Sequence, residues 1–393
     1  QTFEDARGCC SKRLRARGRG GVCVCLMVGQ LLTLRVRWAI SGSKLEDIRV
    51  RSDDTVQQLE ERIVSKLGTG TSIKLLFNER ILRAQETLAA AGLSGNDELD
   101  IVCRKTQVFT GSADNSIKIW GASQGDDEGT LLGHTGAVTS LAIFPDNSRL
   151  VSASEDCTAR IWDLSSLSCQ AVLSAHVDTV NAVAVSADQR FVVTGGVDRV
   201  AIIWTNEGVP TIALEGHFGA IQAVAFSPKG ATVLTAALDC TVRYWSTRTG
   251  CCVMAAEHDK GVYAGSFSPD GTLSLTASAD GCARVWKAGT ERPKTLSNVH
   301  SGCVYSAAFS PNGQSIVTSG WDRLAKVWEL QSGRCQQTLR GHKGPVYMAC
   351  FSPDGTAVLT AGKDCSAKIW CVSSGRVLVD LEGHDAPVRC ALF

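Results

Sequence analysis

Residues 133–163 read GHTGAVTSLAIFPDNSRLVSASEDCTARIWD. Three short runs rich in β-branched residues, VTSLAIF, RLVSAS and TARIW, are separated by the turn-forming PDNS and ED, which predicts three strands joined by tight turns. A fourth run, CQAVLSA, follows. Within the stretch, His134 lies 22 residues before Asp156, Ser152 lies four before that Asp, and Trp162 lies six after it. Met once, a His, a hydroxyl and an Asp would suggest catalysis or a metal site. They are not met once.

The histidine recurs as His134, His176, His217, His258, His300, His342 and His384. The aspartate recurs as Asp114, Asp156, Asp198, Asp239, Asp280, Asp322 and Asp364, each six residues before Trp120, Trp162, Trp204, Trp245, Trp286, Trp328 or Trp370. Four residues before each Asp stands a hydroxyl: Thr110, Ser152, Thr194, Thr235, Thr276, Thr318 and Thr360. Seven sets repeating every 41 or 42 residues are architecture, not seven active sites. A four-stranded unit cannot bury both of its faces alone, so such units pack radially around an axis. Inside each unit the four side chains can form a hydrogen-bond chain, which stabilises only if every member is satisfied. The Gly before His is replaced by Ala175, Glu257 and Val299, a position to which the polar chain should be indifferent.

The ends of the repeat region are complementary. It begins at TQVFTGSAD, without a His or inner strand, and stops after GHDAPVRCALF, with nothing following the inner strand. Together they make one complete unit. Residues 387–393 are therefore expected beside 107–111, with His384 completing the set of Thr110, Asp114 and Trp120, which removes two open sheet edges.

From Thr106 to Phe393 the chain resembles the WD-repeat β-propellers, although only Trp162-Asp163 is a literal Trp-Asp pair. The resemblance implies a mainly β fold, a seven-bladed propeller over residues 106–393. It also implies that binding concentrates on the top face, to which two positions per blade point. The residues opening each inner strand are Thr139, Asn181, Gln222, Tyr263, Tyr305, Tyr347 and Arg389; those just before each Asp are Ala113, Glu155, Val197, Leu238, Ala279, Trp321 and Lys363. Three of the four tyrosines thus fall on successive blades, with Trp321, Lys363 and Arg389 nearby. Rigid amphipathic aromatics flanked by cations are the residue types that dominate binding hot spots. Tyr263, Tyr305, Trp321, Tyr347, Lys363 and Arg389 are the candidate partner-binding set, for a peptide of acidic or aromatic character.

Residues 29–104 follow another rhythm. LLTLRVRWAI and KLEDIRVRS alternate like a hairpin, DTVQQLEERIVSKLG has helical spacing with a capping box at Thr55 and Gln58, and SIKLLFN, ERIL and ELDIVCR read as strands. The order and the stretches SDDTVQQLEERI, IKLLFNERIL and ETLAAAGLSGNDELDIVCR resemble ubiquitin, which implies a small α+β β-grasp domain in front of the propeller. No Gly-Gly follows its last strand, so the resemblance implies a fixed adaptor rather than a conjugated modifier. The apolar contact patch of ubiquitin falls by match on Leu76 and Val102, with Asp100 at a neutral or basic position.

Residues 1–28 carry six basic residues against two acids and are expected to be a disordered tail, with Met27 a candidate start. VCVCLMV lacks the cleavage site of a secretory signal. The 40 basic and 39 acidic residues nearly cancel, leaving no global field to attract nucleic acid or an anionic membrane. No apolar run is long enough to span a bilayer. Seventeen scattered cysteines, with Cys240, Cys282, Cys350 and Cys390 read at strand positions, fit free thiols in a cytoplasmic or nuclear setting. No phosphate loop, nucleophile elbow or His-Glu-x-x-His occurs. A non-catalytic protein-interaction scaffold, without cofactor or metal, is expected. The alternatives are a ubiquitin-system adaptor docking on a ligase or the proteasome, and an assembly factor for cilia, dynein or ribonucleoprotein particles.

Overall fold

The computed structural model describes residues 31–38, 44–67, 71–77, 80–82, 87–94, 97–287, 293–297 and 299–393. The expected tail, residues 1–28, lies outside them. Contacts divide the chain into a front unit ending at Cys103 and a second unit running from Arg104 to Phe393.

In the front unit, β1 (Leu31–Trp38) and β2 (Lys44–Arg51) pair antiparallel, followed by α1 (Val56–Leu67), β3 (Thr71–Phe77), β4 (Arg80–Ile81) and β5 (Glu98–Lys105). The sheet order is β2-β1-β5-β3-β4, with β1 and β5 parallel. The capping box forms: Thr55 N–H donates to Gln58 Oε1 at 2.8 Å, and Gln58 N–H donates to Thr55 Oγ1 at 3.3 Å. This cap satisfies amide donors that a helix start leaves orphaned. Val56, Leu59 and Ile63 then fall on one face and are buried with Leu34, Val36, Val50, Leu88 and Leu99. Leu76 lies in β3 and Val102 in β5, but their side chains are outside the described residues.

The second unit is seven four-stranded antiparallel sheets. Blade one holds β6 (Gln107–Ser112), β7 (Ile117–Gly121) and β8 (Asp127–Leu131), with the closing strand Val388–Leu392 on its inner side. Blades two to seven occupy residues 138–173, 180–214, 221–257, 262–296, 304–340 and 346–382. The closing strand pairs with β6 through Val388↔Ser112, Cys390↔Gly111, Ala391↔Thr110 and Leu392↔Phe109. Neighbouring inner strands touch in one cycle, the closing strand meeting those of blades two and seven. Between blades lies apolar packing; Val108 and Trp120 of blade one join Leu359 and Ile369 of blade seven.

The repeated histidines, hydroxyls and tryptophans are buried inside the blades, and the aspartates are partly exposed beside them. In every blade the Trp indole N–H donates to the hydroxyl at 2.7–2.9 Å, and that hydroxyl lies 2.7–2.9 Å from His Nε2. In six blades His Nδ1 is 2.7–2.9 Å from the Asp carboxylate. A carboxylate only accepts, so Nδ1 carries the proton there, Nε2 accepts from the hydroxyl, and the hydroxyl accepts from the indole. Every donor in the chain has one acceptor.

Blade five departs from this. His258 Nδ1 stands 3.9 Å from Asp280, and the Arg284 guanidinium is wedged between them, with Nη1 against the imidazole nitrogen and 2.6 Å from Asp280. The residue before His explains why. In blades two and four that residue is Gly133 or Gly216, and the guanidinium of Arg160 or Arg243 lies over it, Nη1 only 2.9 Å from where a Cβ would stand. Glu257 puts a Cβ in that seat, so Arg284 turns inward. The polar chain is therefore not indifferent to this position. Since a guanidinium only donates, His258 Nδ1 must accept, and its Nε2–H donates to Thr276: the tautomer is reversed in this blade.

Eleven cysteines of the propeller, all of those from Cys157 to Cys390 except Cys282, are free thiols. Cys350 and Cys390 lie in inner strands, and burial pushes both thiols up to about 12. Cys240 and Cys282 sit instead in the turns after the tetrad aspartates, Cys240 at a left-handed φ of 68°.

Burial lowers the pKa of His134, His217, His300 and His384, and burial with the Arg284 charge takes His258 to about 4. Asp156 and Asp239 are at about 2: burial would raise them, but hydrogen bonds from Thr158 or Thr241 and from the histidines outweigh it. Both classes favour the folded state above their unfolded values of 6.5 and 3.8 and lose that contribution as pH falls. The melting temperature should accordingly drop by about 10 °C between pH 7 and pH 4, with a further loss below. Near-UV circular dichroism during heating measures it, and a flat or rising profile would contradict the buried neutral histidines.

Candidate functional site

In each blade the register between the inner strand and its neighbour slips at one place: the residue at Thr139, Asn181, Gln222, Tyr263, Tyr305, Tyr347 or Arg389. A bulge of this type leaves its residue unpaired in the ladder and re-aims its side chain. The seven positions read from the repeat are thus the seven bulges.

Their side chains behave differently around the ring. Thr139 Oγ1 donates to Val180 O at 2.6 Å, and Asn181 Nδ2 donates to Ile221 O at 2.9 Å, so these short polar residues stitch each blade to the next. The tyrosines pack on one another. Tyr263 and Tyr305 meet edge to face with centroids 5.3 Å apart, Tyr305 and Tyr347 at 5.6 Å, and Tyr305 and Trp321 at 6.5 Å. Such pairs gain beyond their buried area. Each tyrosine is half-buried, whereas Trp321 is 55% exposed. Burial, with the nearby Cys303, Tyr263 and Tyr347, raises Tyr305 to about 12, so its hydroxyl remains neutral over the physiological range.

Lys363 is exposed in the turn next to Trp321's blade, with its N–H donating to Pro345 O. Arg389 is exposed too, but its Nη1 lies 2.8 Å from Glu155 of blade two, so it turns away from the tyrosines. Lys260, Arg323 and Lys343 are also exposed in the turns of blades five to seven. The aromatic arc therefore sits among four free-standing basic positions, Lys260, Arg323, Lys343 and Lys363.

One series of positions was not legible from the repeat: the residue after each His. In six blades its N–H donates to the tetrad Asp at 2.7–3.3 Å, which fixes the side chain outward. Val177 and Phe218 occupy it in blades three and four and are 86% and 80% exposed, next to the exposed pre-Asp residues Val197 and Leu238. An apolar residue directly after the repeated His was the available signal. Among the described residues no group of three His, Cys, Asp or Glu side chains is placed to hold a metal, and no helix is long and apolar enough to cross a membrane.

The family model for the WD domain, G-beta repeat, matches residues 125–163, 167–205, 208–246, 250–287, 292–329 and 333–371, together more than half of the chain. The chain belongs to the WD40 family. Each matched WD40 repeat runs from the outer strand of one blade into the third strand of the next, and the remaining strands of blade one come from both ends of the propeller. WD40 propellers generally mediate protein–protein interactions and are generally non-catalytic. No curated protein matches the chain.

Trp321 is held by its neighbour. Gly302 has a φ of 127°, and a Cβ there would stand 3.3 Å from Trp321 Cβ. Gly302→Ala should lose about 1 kcal/mol in denaturant unfolding and displace the indole. The seven tetrad tryptophans are buried, so a change in acrylamide quenching of intrinsic fluorescence on Gly302→Ala reports the exposed Trp321 beside it, and quenching should increase. Unchanged quenching would mean Gly302 does not set its position.

Proposed function

We propose that this protein is a non-catalytic scaffold whose propeller docks a segment of a partner protein on the top face. The carrying observation is the arc of Tyr263, Tyr305, Trp321 and Tyr347, three of them bulge residues packed edge to face and the fourth exposed beside them. Aromatic surface that is already ordered contributes contact area at low entropic cost. The basic positions around it favour an acidic segment with an aromatic or aliphatic anchor, and the attraction should weaken with salt.

A second reading concerns the front unit. Its order of hairpin, capped helix and further strands, with β1 and β5 parallel in a mixed sheet, supports a ubiquitin-like adaptor role in addition to that of the propeller. On that reading Leu76 and Val102 would contact ubiquitin-system or proteasome components.

The test uses fluorescence polarisation of acidic peptides carrying Phe or Trp, with the full chain. Replacing Tyr305 and Trp321 together by alanine should weaken binding at least tenfold, about 1.4 kcal/mol. The melting temperature should change by less than about 3 °C. Retained affinity would exclude the arc as the docking site.

A further inference from the structure

Arg284 does more than disturb one blade. Its Nη1 faces the tetrad, but its Nη2 emerges on the top face and lies 2.7 Å from Asp259. The two partners differ sharply in burial: the Arg284 side chain is 11% exposed and that of Asp259 is 82% exposed. An exposed carboxylate is screened by water and loses side-chain freedom when it pairs, so it holds its partner weakly. The guanidinium, by contrast, is fixed in place by Asp280 and by the imidazole of His258. A rigid, largely desolvated guanidinium beneath a loosely held carboxylate is a preformed seat for a planar oxyanion. It stands in the same blade as Tyr263 of the aromatic arc, with Lys260 exposed beside Asp259.

We propose that Asp259 occupies, in the free protein, the seat of an anionic group of the docked segment, and that a partner carboxylate or phosphate displaces it to pair with Arg284. This rests on the top-face docking reading for its biological use, but the seat itself can be probed without the arc. No bond is made or broken; one ion pair replaces another.

The probe is inorganic phosphate, compared with chloride at matched ionic strength, read as the melting temperature of the full chain. Asp259→Asn empties the seat at an exposed position and should leave the melting temperature in chloride unchanged. Phosphate should then raise it by about 2 °C more in Asp259→Asn than in the unaltered protein. Adding Arg284→Met should remove that increment. An equal response with and without Asp259→Asn, or one that survives Arg284→Met, overturns the proposal. Acetate run in parallel separates the two sources: a response to both anions assigns the seat to carboxylates, and a response to phosphate alone assigns it to a phosphorylated segment. Phosphate needs none of the aromatic residues, so this result is read independently of the peptide measurement. Peptide affinity that survives the Tyr305 and Trp321 substitutions, together with an intact phosphate response, would sink the docking arc and leave the anion seat standing.

Discussion

His384 donates to Asp114 across 270 residues of chain and receives the hydroxyl of Thr110. The other six tetrads lie within a single repeat, His and Asp being 22 residues apart and joined directly in five of them and through Arg284 in blade five, so each can order its own blade locally. The one in blade one cannot. It joins the closing strand to β6, and without it two sheet edges would stand open and the cycle of inner strands would break. Loop closure over such a length is an entropic cost that grows only slowly with length. Interblade packing around the complete ring offsets it. The top face exists as a defined surface because the cycle is closed.

Repetition and function divide along the same residues. Wherever a side chain recurs in all seven blades it is at least partly buried and hydrogen-bonded within a blade. Specificity therefore has to come from positions where the blades differ. The bulge position illustrates this: Thr139 and Asn181 spend their polar groups on the next blade's backbone, whereas Tyr263, Tyr305 and Tyr347 present rings. Blade five differs twice, in Tyr263 at the bulge and in Arg284 within the tetrad.

The period, the hydrogen-bonding residue types and the complementary ends were legible in the sequence because each is a local pattern repeated in register. The bulge positions were legible through the family resemblance. The Arg284 wedge was not, because it depends on a through-space conflict: the Cβ of Glu257 occupies the seat that Gly133 and Gly216 leave for Arg160 and Arg243. Cys240 was misread as a strand residue because its hydrophobic neighbours hide a left-handed turn. The outward-facing Val177 and Phe218 were missed because nothing in the alternation of a strand applies to a residue pinned by its own amide. For Leu76 and Val102, position in a strand says nothing of what their side chains contact.

A double-mutant cycle between His384 and Thr110, measured by denaturant unfolding of the full chain, tests the closure most directly. A buried hydrogen bond joining the two ends predicts a coupling of at least about 1 kcal/mol between His384→Ala and Thr110→Ala. Strictly additive losses would contradict it, because residues that never meet in the folded protein have no energy to share.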